Sequence, residues 1–393
     1  MIRTLTFTTL YPNETMPRHG IFVENRLRQL LATNEVETRV LAPVPWFPFR
    51  HKRFGSYAAF ARVPSHERRH GIEIDHPRYP ILPKVGMYFS PWFMASAMRS
   101  LTAEMIRNGR DFDLIDAHYF YPDGVAAVLL GQWVNKPVVI TARGSDVNLI
   151  PQFEIPRRWI SWAAKRCVRI ITVSEALAVE LRKLGINSTK VNTLRNGVDL
   201  AFFHPIKNRD AVRAKNGLDS PTLLSVGNLI ESKGHHIAID ALRRLPQFKL
   251  LIAGDGDWRV KLQEQVTRLG LGERVRFLGT VSQMQLREFY NAADALVLVS
   301  SREGMANVLL ESLACGTPLV STAVGGTPEV IAHKNAGVLM QERSVSGLVD
   351  AVRELFSSLP TRSDVRAYAE RFNWRPTTEG QLSIFREALG LQS

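Results

Sequence analysis

The sequence predicts an α/β protein made of two doubly wound domains, each built on a parallel sheet. Short apolar runs alternate with longer amphipathic segments along the chain, which is the pattern of repeated strand and helix units. The alternation stops once, in the polar stretch 203–220, and then restarts. A chain of 393 residues is long enough for two such domains. We therefore expect one domain over residues 1–203 and another over residues 204–375.

Composition narrows the class of protein. The chain is 45% hydrophobic and 22% charged, as is usual for a soluble globular protein, and its net charge of +13 indicates an anionic partner. Its two cysteines, Cys167 and Cys315, lie far apart in apolar helical contexts, so we expect a reducing cytosol and neither a disulfide framework nor a metal cluster. The chain opens directly on a core strand, so no signal peptide is expected. The apolar tract 88–106 contains Arg99 and Glu104 and fails as a membrane span.

The first domain opens with a strand, a loop and a helix. This unit lacks the G-x-G-x-x-G spacing of a dinucleotide-binding turn, which argues against a dehydrogenase. Gly20 stands at the helix start, where it serves either a close approach to phosphate or a simple turn. The predicted strands are 3–10, 38–42, 112–117, 137–142, 169–173 and 190–194, and the predicted helices are 21–31, 91–108, 124–133 and 176–184.

Two loops at strand ends of this domain carry polar side chains. His118 follows the strand 112–117, and ligands of open α/β sheets bind at the carboxyl ends of the strands. The loop Arg143-Gly144-Ser145-Asp146 follows the strand 137–142 and is rich in hydrogen-bonding groups. Ser145 or Asp146 could equally serve as a helix N-cap.

Between the second and third strands, basic and aromatic residues are interleaved. This pattern suits the surface of an anionic bilayer, a nucleic acid, or an irregular loop whose arginines are simply solvated. The basic residues are Arg50, Lys52, Arg53, Arg62, Arg68, Arg69, Arg78 and Lys84, and the aromatic ones are Trp46, Phe47, Phe49, Phe54, Tyr57, Phe60 and Tyr79.

The second domain repeats the alternation. After its first strand, the turn 227–234 places Lys233 just before a helix, where lysine suits a diphosphate, although an exposed surface lysine would give the same pattern. The predicted strands are 222–226, 249–253, 275–278, 295–299, 319–322 and 337–340, and the predicted helices are 234–245 and 258–269, with a last helix over 379–389.

The stretch 300–318 is the strongest candidate for the chemistry. It runs from a buried strand through a tight loop into a helix that ends at Cys315-Gly316. Glu303 lies in the loop and Glu311 about two helical turns further on, so both can face one crevice. Gly304, Met305 and Ala306 offer backbone N–H groups near the helix start. The alternative is that Glu303 caps the helix and Glu311 is solvated.

Taken together, these loops resemble those of the retaining glycosyltransferases of family 4, including bacterial enzymes of polysaccharide and teichuronic acid synthesis. The matching motifs follow in the family's order over residues 190–330. They are Asn196-Gly197-Val198-Asp199, Gly227 with Lys233-Gly234, Gly254-Asp255-Gly256, Glu303 with Glu311, and Gly325-Gly326-Thr327-Pro328-Glu329; Gly20, His118 and Gly144-Ser145-Asp146 match more loosely.

The resemblance implies the GT-B architecture, with two Rossmann-like domains facing each other across a cleft and a C-terminal helix, 376–393, packing back on the first domain. It implies a first domain for the acceptor and a second for a nucleotide diphosphate sugar of UDP or GDP type, with no cofactor and no essential metal. The base is expected near residues 279–281. The residues implicated are His118 and Glu303 in catalysis, Gly20, Asn228, Lys233, Gly304, Met305, Ala306, Asn307 and Glu311 in donor binding, and Arg143 and Asp146 in acceptor binding.

Three positions depart from the family's usual pattern. Asn228 stands where arginine is common, His19 where a second glycine is common, and Arg143 where many members have histidine. An arginine at that place would suit an anionic acceptor.

The leading hypothesis is thus a cytoplasmic, retaining glycosyltransferase, attached peripherally to the inner face of an anionic membrane. Its acceptor would be a growing polysaccharide or a lipid-linked glycan, and no nucleic acid is expected as a partner. The alternatives are a nucleotide-sugar epimerase or phosphorylase of the same fold, and a non-enzymatic nucleic-acid-binding protein driven by the net charge.

Overall fold

The computed structural model describes residues 1–81 and 86–391, apart from the side chains of Lys52 and Ser56. Lys84 of the basic cluster and the last two residues of the chain lie outside this part. The chain forms two compact units. The first unit consists of Met1–Arg195 together with the residues from Arg375 onward, and the second consists of Asn196–Trp374. The sequence places the boundary near residue 203.

The first unit is organised around one sheet, which has eight strands within the described residues. Its strand order is β10-β9-β8-β7-β1-β2-β5-β4, and β3 pairs separately with β6. The strands are β1 Ile2–Phe7, β2 Val36–Leu41, β3 Val44–Pro45, β4 His66–Arg69, β5 Ile72–Asp75, β6 Arg78–Tyr79, β7 Leu114–His118, β8 Val138–Ala142, β9 Arg169–Thr172 and β10 Val191–Thr193. The helices are α1 Ile21–Leu31, α2 Gly55–Arg62, α3 Gly86–Arg107, α4 Val125–Val134, α5 Ser145–Asn148, α6 Glu154–Arg166 and α7 Glu175–Lys183.

The strands β7 and β8 are buried along their whole length, as expected for central strands covered by helices on both faces. All pairs in this sheet are parallel except β4 with β5.

The basic and aromatic segment between β2 and β7 is not an irregular loop, because it forms α2 and the strands β3 to β6. Three of its residues make contacts within the folded unit. Arg69 pairs with buried Glu24, Arg78 donates to the Phe60 carbonyl oxygen, and the side chain of Tyr79 is buried.

The second unit contains one fully parallel sheet, of six strands in the part of the chain that the structure describes. Its order is β13-β12-β11-β14-β15-β16. The strands are β11 Thr222–Val226, β12 Lys249–Ala253, β13 Val275–Gly279, β14 Ala295–Leu298, β15 Leu319–Thr322 and β16 Gly337–Met340. The helices are α8 Arg209–Lys215, α9 His235–Ala241, α10 Arg259–Arg268, α11 Gln283–Ala292, α12 Asn307–Ala314, α13 Thr327–Val330, α14 Val345–Ser357 and α15 Arg362–Ala369.

The last helix, α16 (Arg375–Ala388), belongs to the first unit and packs on α1. Leu382 and Phe385 join the apolar core that α1 forms with the sheet. Burial of two large apolar side chains contributes roughly 3–6 kcal/mol to this docking. Within residues 1–81 and 86–391, no helix combines the length and apolar character needed to cross a bilayer.

Strand order locates the ligand sites of both units. In a doubly wound sheet, the chain begins with a central strand, adds strands towards one edge, and then returns to add strands on the other side. At this switch point, the loops after the two neighbouring parallel strands leave in opposite directions, which opens a crevice at the carboxyl ends of the strands. This switch point lies between β1 and β7 in the first sheet and between β11 and β14 in the second. Gly20 and His118 follow β1 and β7, whereas Lys233 and Glu303 follow β11 and β14.

Candidate active site

At the switch point of the second unit, Lys233 and Glu303 form an ion pair. Lys233 Nζ lies 2.5 Å from Glu303 Oε1, and the two side chains are 24% and 10% exposed. The lysine stem passes alongside Gly227 at the end of β11. Because both groups are largely withdrawn from water, their attraction exceeds that of an exposed pair. Lys233 is therefore not the exposed surface lysine of the alternative interpretation.

The loops that carry the pair are tied to each other through the backbone. Ser301 N–H donates to the Ser232 carbonyl oxygen at 2.8 Å, which joins the loop after β14 to the turn before Lys233. Arg343 donates from Nε to the Val299 carbonyl oxygen at 2.9 Å and from Nη2 to that of Glu231 at 3.3 Å. These bonds fix the approach of Lys233 to Glu303.

A glycine turn after β15 packs against the backbone of Glu303. Gly325 has φ +52°, and a Cβ there would lie 1.9 Å from the Glu303 carbonyl oxygen, so only glycine allows this approach. Gly326 N–H also donates to the Gly304 carbonyl oxygen at 2.9 Å. The family motif at residues 325–329 thus has a physical purpose in placing Glu303.

Helix α12 starts three residues after Gly304. Its N-cap is Ala306, and no described side chain caps it, so Glu303 is not the cap of the alternative interpretation. The first-turn N–H groups of such a helix favour an anionic or hydroxyl-rich ligand. The side chains of Met305 and Asn307 both contact Asn196, through Met305 Sδ at 3.2 Å and Asn307 Oδ1 at 2.9 Å.

Glu311 lies on α12 and contacts α11. Tyr290 Oη donates to Glu311 Oε2 at 2.8 Å, and Tyr290 is fully buried. Burial raises the pKa of Glu311 to about 7, although the hydrogen bond from Tyr290 opposes the shift. Glu311 is thus partly buried and paired, which excludes the solvated alternative, and its partner differs from that of Glu303.

The loop after β11 is held by a histidine. His235 lies between Ser225 Oγ, 2.9 Å from its Nδ1, and the Asn228 carbonyl oxygen, 3.3 Å from its Nε2. Burial lowers the pKa of His235 to about 4, so it stays neutral. The side chain of Asn228, expected at the donor, is exposed beside this loop.

In the first unit, Gly20 is the N-cap of α1 at φ +70°. A Cβ there would lie 2.1 Å from the Leu10 carbonyl oxygen, so packing within the loop already requires glycine. The structure therefore explains this glycine without a ligand.

His118 ends β7 and has a partner on each ring nitrogen. Its Nε2 lies 3.2 Å from Asp116 Oδ2, and Arg143 Nη2 lies 2.8 Å from its Nδ1. Burial lowers the pKa of His118, and Arg143 adds to this effect while Asp116 opposes it. The imidazole is therefore neutral at physiological pH.

The loop after β8 is built around Asp146. Its buried carboxylate accepts backbone N–H groups of Gly144 at 2.6 Å, Arg143 at 3.0 Å and Phe120 at 2.6 Å. The guanidinium of Arg143 lies over the Phe22 ring at 5.3 Å. Asp146, expected at the acceptor, thus holds the loop that carries Arg143.

In the described part of the chain, no three His, Cys, Asp or Glu side chains converge as metal ligands. Cys167 and Cys315 are buried free thiols, and burial raises the pKa of each to about 12, so neither is a reactive nucleophile.

Sequence reasoning missed Asp116, Tyr290 and Arg343, which hold His118, Glu311 and Lys233 in place. Asp116 alone left a usable signal, because a carboxylate two residues before His118 on one strand must point to the same face. Tyr290 and Arg343 reach their partners from other helices and loops.

Comparison with known proteins agrees with this geometry. Residues 26–202 match the model of Glycosyltransferase Family 4, and residues 208–372 match that of Glycosyl transferases group 1. The putative teichuronic acid biosynthesis glycosyltransferase TuaC of Bacillus subtilis is 30% identical over 365 residues, which cover 89% of this chain and 88% of that protein.

Solved structures share the fold. Sucrose-phosphate synthase from Thermosynechococcus elongatus superposes with a TM-score of 0.79 at 19% identity, over 99% of both chains. HepE of Anabaena in complex with UDP-glucose superposes with a TM-score of 0.74 at 19% identity, over 98% of this chain and all of that one (100%). The motifs, the two parallel sheets and these matches show that the chain belongs to glycosyltransferase family 4 and is a glycosyltransferase with the GT-B fold.

Proposed function

We propose that this glycosyltransferase moves a sugar from a nucleotide diphosphate sugar to a polysaccharide or lipid-linked acceptor in cell-envelope or exopolysaccharide synthesis, and that it retains the anomeric configuration. The observation that carries the proposal is the Lys233–Glu303 pair beside the start of α12. A cation, a carboxylate and several backbone donors in one crevice match a diphosphate joined to a sugar.

In this proposal each part of the donor has a partner in the second unit. Lys233 and the backbone N–H groups of residues 304–307 bind the diphosphate, Glu303 accepts from sugar hydroxyls, and Glu311 accepts from the ribose. Asn228 lies at the rim of the same loop. HepE, which shares the fold, binds UDP-glucose, and this supports a UDP-type donor.

The cationic side of the crevice also gives a reason to expect no essential metal. As the bond between the sugar and the diphosphate breaks, negative charge grows on the leaving phosphate. Lys233 and the first turn of α12 would stabilise that charge, which is the task that a divalent cation has in other transferases.

We place the acceptor at the switch point of the first unit. His118 would touch the sugar at the reaction centre, and the Gly20 loop would approach the phosphates. TuaC is named for the biosynthesis of teichuronic acid, and an arginine at position 143 suits an acidic or phosphorylated acceptor. Asp146 would act on the acceptor through the loop that it holds.

We also propose that the first unit docks on an anionic membrane through an aromatic rim. The rim consists of exposed aromatic side chains, Trp46, Phe49, Tyr57, Phe89, Trp92 and Phe153. They lie in the segment after β3 and at the starts of α3 and α6, and in β-α-β units these positions lie at the carboxyl edge of the sheet, where His118 is.

The composition around the rim favours a bilayer with negative headgroups. Segment 46–66 contains Arg50, Lys52, Arg53 and Arg62 and no carboxylate. Aromatic rings at the headgroup level, together with basic side chains, are typical of interfacial binding. In the second unit, none of the large apolar residues exposed in the described structure is aromatic.

The proposed donor class is tested by thermal unfolding of the purified protein with UDP, GDP and ADP at millimolar concentration, each with and without EDTA. A ligand at 100 times its Kd stabilises the folded state by about 2.7 kcal/mol. We expect UDP or GDP to raise the Tm, with EDTA making no difference. If none of the three raises the Tm, the donor assignment fails.

An epimerase or a phosphorylase of this fold would differ in its products. A transferase consumes the nucleotide sugar only when an acceptor is present, and a retaining one gives a product with the anomeric configuration of the donor. An epimerase converts the donor without an acceptor, so NMR of the donor incubated alone distinguishes an epimerase from a transferase.

A further inference from the structure

A chain of hydrogen bonds connects the last helix to His118 inside the first unit. Arg26 Nε donates to Gln381 Oε1 at 2.7 Å, and Gln381 Nε2 donates to Asp116 Oδ2 at 3.0 Å. The same Asp116 oxygen lies 3.2 Å from His118 Nε2. Arg143 Nη2, 2.8 Å from His118 Nδ1, ends the chain. All these side chains are buried, with at most 9% exposed.

The two arginines set the direction of every bond in this chain. A guanidinium can only donate, so Gln381 must turn its oxygen to Arg26 and its amide N–H groups to Asp116. At the other end, Arg143 requires His118 Nδ1 to accept. The proton of the imidazole must then be on Nε2, where it is donated to the Asp116 carboxylate.

We infer that Gln381 is a positioning residue that, through Asp116, holds His118 as the neutral Nε2–H tautomer with its Nδ1 lone pair directed at Arg143. The inference goes beyond the proposed function, and only its catalytic consequence rests on that proposal. It also gives α16 a task besides packing, because a side chain of the last helix sets the state of His118.

Electrostatics support this arrangement. Burial and the charges of Arg143 and Arg26 lower the pKa of His118, and Asp116 opposes them. Burial alone would raise the pKa of Asp116, but His118 and both arginines outweigh it and keep the carboxylate ionised. Burial lowers the pKa of Arg26 to about 10 and of Arg143 to about 9, so both remain charged at neutral pH.

Gln381 is needed because Asp116 is a buried anion. A buried carboxylate that loses one of its donors attracts a proton more strongly. Without the Gln381 amide, His118 would therefore be protonated at higher pH, and Arg143 would lose its acceptor at Nδ1 and face an imidazolium.

The test is NMR of the full-length protein labelled with ¹⁵N in the imidazole rings. A His118→Asn variant identifies the His118 signals among those of the ten histidines. In the wild type between pH 6 and 8 we expect one protonated and one unprotonated ring nitrogen, with the proton on Nε2. An imidazolium, or a proton on Nδ1, in the wild type overturns the inference.

Variants of α16 give the second arm. Gln381→Leu should raise the pH at which His118 becomes protonated, or mix its tautomers. Leu382→Ala perturbs the packing of the same helix without touching the chain, and it should leave the His118 signals as in the wild type. If Gln381→Leu also leaves them unchanged, or if Leu382→Ala shifts them equally, Gln381 has no positioning role.

This readout does not depend on transfer activity, so it separates the two proposals. A correct tautomer in a protein whose His118→Asn variant keeps full activity would count against His118 as a catalytic residue and would leave the positioning role of Gln381 intact. A wrong tautomer in an active enzyme would count against the positioning role of Gln381 and would leave the proposed transfer activity intact.

Discussion

At the scale of single residues, Glu303 takes part in two contacts. It pairs with Lys233, and we propose that it accepts hydrogen bonds from the donor sugar. Glu303→Gln keeps the size of the side chain but removes the charge, and Glu303→Ala removes both. We expect transfer to fall by about 10²–10³ in either variant, because both remove the negative charge beside the reacting sugar.

Folding and nucleotide binding should survive these substitutions, because Lys233 becomes fully available to the diphosphate. The measurements are kcat for transfer, the Tm, and the affinity for UDP. Turnover equal to that of the wild type in Glu303→Ala would refute the assigned role.

Glu311 gives a pH dependence of stability whose sign is fixed. Its pKa is about 7 in the folded protein and roughly 4.3 in an unfolded chain. A raised pKa means that the folded state holds the proton, so this contribution is complete below about pH 4.3 and disappears as the pH rises through 7. Glutamine mimics the protonated acid and has no such dependence.

We therefore expect the Tm of Glu311→Gln, relative to the wild type, to rise between pH 5 and pH 8. At the higher pH, the free energy of unfolding of the variant should gain about 1–3 kcal/mol relative to that of the wild type. Buried Asp123, whose pKa burial also raises to about 7, is present in both proteins, so its effect cancels. A constant Tm difference across this range would show that Glu311 is already ionised at pH 5.

At the scale of elements, the aromatic rim makes a prediction about helix starts and loops of the first unit. Burying an exposed tryptophan or phenylalanine in a bilayer contributes about 1.5–3 kcal/mol. Phe49→Ser and Trp92→Ser should each weaken binding to anionic vesicles about tenfold or more. The matched control is Trp133→Ser, since Trp133 is exposed near the end of α4 and therefore at the opposite edge of the sheet.

Vesicle sedimentation measures this effect, with phosphatidylglycerol and phosphatidylcholine vesicles compared at low and high salt. Binding should require the anionic lipid and weaken as salt screens the arginines. Equal binding to both lipids, or equal loss in Trp133→Ser, would argue against docking through the rim.

Elements with a strong local pattern could be predicted from the sequence. The bounds of α1, β11, β12, β15 and β16 agree with prediction, because each is an apolar run or amphipathic stretch between clear turns. The sequence does not predict the helices α6, α8, α11, α14 and α15, and it does not divide the segment after β3 into elements. Its strands are only two to four residues long and depend on pairing with distant partners.

The same distinction applies to the site. Lys233 and Glu303 can be predicted as candidates because each follows a strand in its own loop, whereas their contact depends on the neighbouring positions of β11 and β14. Gln381 lies 265 residues from Asp116 along the chain, and no local pattern could connect them. Sequence therefore predicts the candidate side chains but not the contacts that hold them.

At the scale of the whole molecule, the described residues contain two doubly wound sheets whose switch points carry different chemistry. The first unit offers a buried neutral histidine next to arginine, and the second a cation paired with a carboxylate. In our proposal these correspond to acceptor and donor. Family 4 membership establishes the type of enzyme, and we propose that the donor binds at the Lys233–Glu303 pair.

Calorimetric titration of UDP tests that claim most directly, in the wild type, Lys233→Ala and Lys249→Ala. Lys249 is a matched control, since it also pairs with a carboxylate, Asp219 at 2.6 Å, but lies at the amino end of β12. Losing a charged hydrogen bond to the diphosphate costs about 1.5–3 kcal/mol, so Lys233→Ala should bind UDP about 10 to 100 times more weakly. Lys249→Ala should bind UDP like the wild type. Equal affinity for UDP in Lys233→Ala and the wild type would contradict the placement of the donor at this pair.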